Sequence, residues 1–441
     1  MFVDFPTTYI TYDLIPKFMW DKLSKIWRDR ELRNKILFVL GLLVIFRIAA
    51  HVPIPGINAE NLQRFFSSNQ ILGLVNIFSG GALSSFSIVA LGVGPYITAS
   101  IIFQLLGMIV PKLEAMQKEE SGRQKINQYT RYLSVPLAFL QAYSMISLLS
   151  RSSRQIILDL SPFNIFAMMV TMTAGTVFLM WLGEMISEKK VGNGISLIIF
   201  AGIVDRIPSV IQQVILTYNR AEVINLLAFA AIAIVTIVGV VIMNEGQRNI
   251  PVSYAKRIRG MKMYGGVDTH LPLRVNVAGV IPIIFAISII LIPGMIAQFF
   301  TGAKTFWVAK AADFVITLFA NQIFYGVLYF LLVVAFTYFY TSVIFHPHQI
   351  AENLQKNGGF VPGIRPGLNT ASYLKYVTNR IIFAGALFLG ILAVLPNIVQ
   401  SFSGLQSLAI GGTSLLIVVS VVIETVKQIE SQMLMREYEK Y

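Results

Sequence analysis

The chain has 441 residues, 55% hydrophobic and only 13% charged, where soluble domains carry about 25% charged residues. Its 35 Lys and Arg against 22 Asp and Glu leave a formal net charge of +13, and with no cysteine it has no disulfide, no thiolate chemistry and no Cys-ligated zinc or iron–sulfur site. These proportions predict a polytopic membrane protein.

The N-terminal segment, 1–35, is polar and charged, and no cleavable signal peptide is evident in it. A membrane span needs roughly 20 mostly apolar residues. Ten runs qualify: 36–52, 86–110, 132–150, 162–183, 194–216, 223–243, 275–298, 314–345, 381–399 and 405–423. Asp205 and Arg206 interrupt the fifth. The eighth is long enough that its ends must tilt or lie in the interface.

Between the first two spans, Pro53-Ile54-Pro55-Gly56 ends a helix, and a short apolar stretch follows: Ile71, Leu72, Leu74, Val75, Asn76, Ile77 and Phe78. It is too short to span and is closed by Gly80-Gly81. Such a segment either lies in the interface or folds back as a re-entrant element, within about 65–84, that would act as a movable stopper. Ser84 and Ser85 are expected to cap the helix that follows.

Lys and Arg set the orientation. The N-terminal segment, the loops after the even-numbered spans and the C-terminal tail hold 27 of them, and the loops after the odd-numbered spans hold 7. This asymmetry predicts that both termini are cytoplasmic, which requires an even number of spans.

The chain also echoes itself. Pro95-Tyr96-Ile97-Thr98-Ala99 matches Pro282-Ile283-Ile284-Phe285-Ala286 at Pro, Ile and Ala. Gly194-Ile195-Ser196-Leu197-Ile198-Ile199 matches Gly412-Thr413-Ser414-Leu415-Leu416-Ile417 at Gly, Ser, Leu and the last Ile. With the predicted orientation, spans 2 and 7 are antiparallel, as are 5 and 10. That is the pattern of inverted-topology repeats, with halves 36–220 and 221–427 and a tail, 428–441.

Polar chemistry is sparse. No Walker-type loop is present, and Val191-Gly192-Asn193-Gly194 reads as a helix start. His346-Pro347-His348 reads as a solvated loop. Arg47, Glu184, Asp205, Arg206 and Glu424 all fall near span ends, so no charge sits clearly at the midplane, where ion-coupled transporters carry one. Near the midplane the sequence places branched aliphatic residues instead. Val93 and Ile97 share a helix face, as do Ile195 and Ile199. Ile284 and Ile417 are their echoes. These residues either form a hydrophobic constriction, which blocks ions by dewetting, or pack against lipid and neighbouring helices.

Two large basic loops complete the chain. Loop 244–274 holds Arg248, Lys256, Arg257, Arg259, Lys262 and Arg274, and loop 346–376 displays Arg365 within Pro362-Gly363-Ile364-Arg365-Pro366-Gly367. They satisfy the positive-inside rule, and they also suit docking of a large partner through RNA phosphates or acidic protein.

Several motifs together are specific: Phe46-Arg47-Ile48 with Ile54-Pro55-Gly56; Asn76-Ile77-Phe78-Ser79-Gly80-Gly81; Pro95-Tyr96-Ile97-Thr98-Ala99-Ser100; Lys125-Ile126-Asn127-Gln128-Tyr129-Thr130-Arg131; Gly192-Asn193-Gly194-Ile195-Ser196; Tyr254-Ala255-Lys256-Arg257; Gly363-Ile364-Arg365-Pro366-Gly367; and Gly411-Gly412-Thr413-Ser414-Leu415. On these the chain resembles the bacterial SecY family, the central subunits of protein-conducting channels, over almost its whole length. The resemblance implies an all-α polytopic fold: ten transmembrane helices in two inverted five-helix halves, a clamshell, with a short re-entrant plug helix. It implies a pore ring of Val93, Ile97, Ile195, Ile199, Ile284 and Ile417, a plug containing Ile71–Phe78, and a lateral gate between spans 2 and 7 with polar contacts from Gln104 and Ser288. Lys256, Arg257 and Arg365 fall on loop positions used by the SecA motor or the ribosome. The implied partners are small SecE-like and SecG-like membrane subunits, the SecA ATPase, the ribosome through its RNA and proteins, signal sequences, unfolded polypeptides and membrane lipid. No cofactor and no catalytic residue is expected, and the implied location is the bacterial inner membrane. A secondary transporter built on inverted repeats is the alternative, and the bare midplane counts against it.

Overall fold

The computed structural model describes residues 27–58, 60–62, 79, 81–83, 85–150, 156–205, 207–208, 212, 223–254, 257–259, 262–264, 268–300, 305–403 and 411–439. The helices are α1 (Arg30–Ala50), α2 (Gly94–Ile109), α3 (Pro111–Lys118), α4 (Glu120–Ser150), α5 (Pro162–Glu188), α6 (Gly194–Val204), α7 (Val223–Glu245), α8 (Ile281–Phe300), α9 (Phe306–Ala320), α10 (Gln322–Ile344), α11 (Pro347–Lys356), α12 (Leu368–Ser403) and α13 (Gly411–Glu439). Among the described residues, four stretches are individually long and apolar enough to cross a membrane: Glu120–Ser150, Pro162–Glu188, Gln322–Lys356 and Leu368–Leu395. A fifth combines α2 with Pro111–Gln117, bent by 112°. Val110 takes an extended backbone before Pro111, which removes the next helical N–H, so the chain turns there.

Side-chain caps set several helix starts. Asp29 accepts from the N–H groups of Glu31 and Leu32 (3.0 and 3.2 Å), Ser161 caps α5, and Asn193 caps α6. Asn321 changes the reading of the eighth apolar run. Its side chain accepts from Ile323 and Phe324 N–H while its backbone is extended, so the run is two helices, α9 and α10, and not one tilted span. The second run differs as well. Residues 85–93 form turns and α2 begins only at Gly94, because Phe86 (φ 42°) and Gly92 (φ 60°) leave the right-handed region. Ser85 therefore does not cap a helix: its hydroxyl donates to the Ala50 and Ala82 carbonyls. Ser84 lies outside the described residues.

One large apolar cluster gathers side chains from α1, α2, α5, α6, α7, α8, α10, α12 and α13. A second joins Ile54, Leu62, Leu83, Phe86 and Ala90 to helices α4 and α5, around Leu149 and Met172. Large apolar side chains also remain exposed, among them Leu40, Val44, Ile45 and Ile48 on α1 and Val235 on α7. Exposed apolar surface on this scale marks contact with lipid or partner chains.

The two basic loops are one structure. Strand β1 (Gln247–Tyr254) lies between β4 (Asp268–Arg274) and β5 (Gly359–Phe360), antiparallel to both, and β2 (Arg257–Arg259) pairs with β3 (Lys262–Tyr264). Ser253 opposite Phe360 and Tyr254 opposite Gly359 join the loops, and Ile250, Leu273, Val361, Leu374 and Val377 form a small core beneath the sheet.

Candidate functional site

The first echo is a shared backbone device. In Gly92-Val93-Gly94-Pro95 and in Gly279-Val280-Ile281-Pro282, the leading glycine is left-handed, at φ 60° and 63°. Glycine takes this conformation without Cβ strain. A proline in the first helical turn then needs no hydrogen-bond partner. The Val93 carbonyl accepts from Ile97 N–H at 3.0 Å, and the Val280 carbonyl accepts from Ile283 and Ile284 N–H at 3.1 and 3.3 Å. Ile97 and Ile284 thus occupy equivalent places one turn into α2 and α8.

The structure brings the six expected ring residues into one apolar cluster. Val93, Ile97, Ile199, Ile284 and Ile417 are buried within it, and Ile195 packs against it half-buried. They come from the start of α2 and from α6, α8 and α13. Val280, also buried there, was missed in the sequence reading. Its signal was available: it stands to Pro282 as Val93 stands to Pro95.

Helix α8 packs against both α2 and α4. Gln104 does not reach across to Ser288. Its Nε2 donates to Ser100 Oγ one turn back (3.2 Å), and its Oε1 is buried without a bond to the described residues. Ser288 is buried on α8. The plug residues Ile71, Leu72, Leu74, Val75, Asn76, Ile77 and Phe78 lie outside the described residues, as does Lys256. Arg257 opens β2, opposite Tyr264. Arg365 is exposed between two left-handed glycines, Gly363 and Gly367, and its carbonyl accepts from Thr370 Oγ1 (3.0 Å).

Several charges near helix or span ends are paired. Arg47 meets Asp205, Arg131 meets Glu184 at 2.6 Å, and Lys427 meets Glu245 at 2.7 Å. Arg436, near the end of α13, grips Asp29 with bonds of 2.9 and 3.0 Å and Glu31 at 2.5 Å. Partial burial pushes the Asp29 carboxyl up, but Arg436 and the N–H groups of Leu32 and Glu31 outweigh it and hold Asp29 below its ordinary value. At the root of the sheet, Asn276 Nδ2 donates to Asn244 Oδ1 (2.7 Å) and to the Gly279 carbonyl (3.2 Å), while Asn244 Nδ2 donates to Ser420 Oγ (2.8 Å). Among the described residues, no group of three or more His, Cys, Asp or Glu side chains gathers as metal ligands.

The family model for SecY matches residues 87–426, a stretch that contains both echoed helix pairs and both basic loops. The chain belongs to the SecY family. It is 45% identical to the protein translocase subunit SecY of Mycobacterium tuberculosis over 434 residues, covering 94% of this chain and 98% of that one. It is 44% identical to the Streptomyces galbus subunit, covering 96% and 100%. Among solved structures, the fold resembles a protein conducting channel with a TM-score of 0.63 at 19% identity, covering 90% of this chain and 91% of that one. It also resembles Sec61 from the canine ribosome-channel complex of the endoplasmic reticulum, with a TM-score of 0.59 at 18% identity over 90% and 91%. As a SecY-family member the chain is a protein-conducting channel subunit, and it is not an enzyme.

Proposed function

We propose that the chain conducts unfolded polypeptides through an aliphatic ring and releases apolar segments into lipid between α2 and α8. The observation that carries this is the convergence of Val93, Ile97, Ile199, Ile284 and Ile417, from both echoed halves, in one buried cluster. A ring of branched aliphatics offers no hydrogen bonds to ions and excludes water by dewetting. It also presents no fixed polar pattern to a substrate, so it tolerates varied sequence.

In this reading ten spans form two inverted five-helix halves with both termini cytoplasmic, in a bacterial inner membrane. Residues 71–78 form the plug on the outer side. Gln104 and Ser288 line the gate, and each retains polar capacity for an incoming segment. The sheet joining the two basic loops is the base of the docking platform, where Arg257, on the separate β2–β3 pair, and Arg365 face a cytoplasmic partner, the SecA ATPase or the ribosome, and Lys256, next in sequence to Arg257, is assigned the same role. Energy comes from that partner. SecE-like and SecG-like subunits and membrane lipid cover the exposed apolar helix faces. The deeply hydrophobic cluster argues against the secondary-transporter alternative, since it presents no charge to hold a small polar solute.

Planar-bilayer conductance tests the seal. Replacing Ile97, Ile199, Ile284 and Ile417 with Gly is expected to raise the resting ion leak well above wild type. An unchanged leak in correctly inserted protein would remove the ring from the mechanism. Reversing Arg365 to Glu is expected to impair partner-driven transport while leaving insertion intact, and normal transport would take Arg365 off the docking surface.

A further inference from the structure

The Asn244–Asn276–Ser420 hydrogen bonds stand apart from the apolar core around them. They join the last turn of α7, the link between β4 and α8, and the middle of α13. Asn276 and Ser420 are buried. Val275 N–H donates to the Gly246 carbonyl at 2.8 Å, which binds the same junction through the backbone. We propose that Asn276, held by Asn244 and Ser420, is a positioning latch that sets the resting angle of α8 against α2. The inference rests on the reading of α2 and α8 as the two sides of the gate.

Three features make this a latch and not a general brace. Asn276 donates to the carbonyl of Gly279, the left-handed residue at which the chain turns into α8. A Cβ built at Gly279 meets nothing within 4 Å, so this turn has room to move. Asn276 Oδ1 is buried and accepts no hydrogen bond from the described residues. A buried acceptor left unmade raises the energy of the resting arrangement, and a rotation at Gly279 that brings it a donor would be favoured. The latch also reaches the ring. Ser420 lies one turn beyond Ile417 on α13, and Ile284 lies in the first turn of α8, which the non-helical link from Asn276 enters. Releasing the latch frees the α8 side of the ring together with the gate.

The cysteine-free chain allows spin labels at Leu106→Cys on α2 and Ile296→Cys on α8, both exposed. Pulsed electron–electron distances are then measured in nanodiscs, with and without a synthetic signal peptide (a basic end followed by an apolar core). In the wild type the peptide is expected to shift the distance distribution. If it does not, the gate reading itself fails. Given that shift, Ser420→Ala is expected to raise the open-to-closed ratio in the absence of peptide about threefold, the equivalent of ~0.6 kcal/mol for one buried bond in a membrane protein. Asn276→Ala, which removes two bonds, is expected to raise it about eightfold on the same scale. Ser420→Thr keeps the hydroxyl and should restore the wild-type distribution. A distribution unmoved by Asn276→Ala and Ser420→Ala, in protein that still responds to peptide, would overturn the latch. If Asn276→Ala does not insert, the Ser420→Ala and Ser420→Thr pair decides, and equal distributions in those two also overturn it.

Discussion

The two echoed helix starts share a backbone and differ in what holds them. At α2, Gly92 is flanked in sequence by buried Val89, Ala90 and Val93, as Gly279 is by buried Ala278 and Val280, and α2 has no side-chain cap. Backbone bonds tie the preceding turns to the segment after α1: Ile54 N–H donates to Phe86 and Ile88 N–H to Val52, each at 3.0 Å. The Ile88 carbonyl presses against Gly175 of α5, where a Cβ would overlap it. At α8 the carbonyl of the equivalent left-handed glycine accepts from one side-chain amide, that of Asn276, with open space beside the residue. Close packing has few soft displacements, whereas a few hydrogen bonds can be exchanged one for another. On the proposed gate reading, this difference makes α2 the fixed wall and α8 the moving one.

That contrast can be broken in several ways. The largest effect is expected from Gly175→Leu, which forces a side chain into the Ile88 backbone. Overpacking of this kind costs about 3 kcal/mol, and thermal unfolding in detergent should show a strongly lowered midpoint or little folded protein. Next, Gly92→Ala and Gly279→Ala each meet left-handed strain of about 1–2 kcal/mol. Gly92→Ala is expected to lower the midpoint and leave the α2–α8 distance distribution alone, while Gly279→Ala should redistribute it. Identical behaviour of the two variants would erase the distinction between the walls.

The smallest effect concerns the Asp29–Arg436 clasp, which joins the first and last described helices away from the starts of α2 and α8. Its carboxylate is held below the ordinary 3.8, so its contribution is present above that pH and is lost as pH falls below it. Arg436→Gln should therefore lower the thermal midpoint slightly at neutral pH, and the gap from wild type should close toward pH 3. A gap that persists unchanged in acid would show that Arg436 acts by packing, not by charge.

Much of the architecture was legible in the chain. Each of the ten apolar runs overlaps a described helix, and the first echo falls at the starts of α2 and α8, several residues after the runs were taken to begin. The family motifs also led to the correct family. The eighth run was misread because Asn321 sits inside unbroken apolar sequence, where a cap looks like one polar residue among many. The proposed ring residues were picked out by spacing and by the echo, and only the resemblance chose a ring over packing against lipid and neighbouring helices. In helices apolar on every side, no hydrophobic stripe tells the inward face from the lipid face.

The sequence by itself determined membrane residence, the echo between two stretches of the chain and the SecY family, because hydropathy and motif order are properties of neighbouring residues. Tertiary structure decided which isoleucines meet, that the two basic loops share one sheet, and that Asn276 finds Asn244 and Ser420. Asn244 lies 32 residues from Asn276 and 176 from Ser420. A buried amide must have partners, but when those partners lie on other helices only the packing of the helices can say which they are.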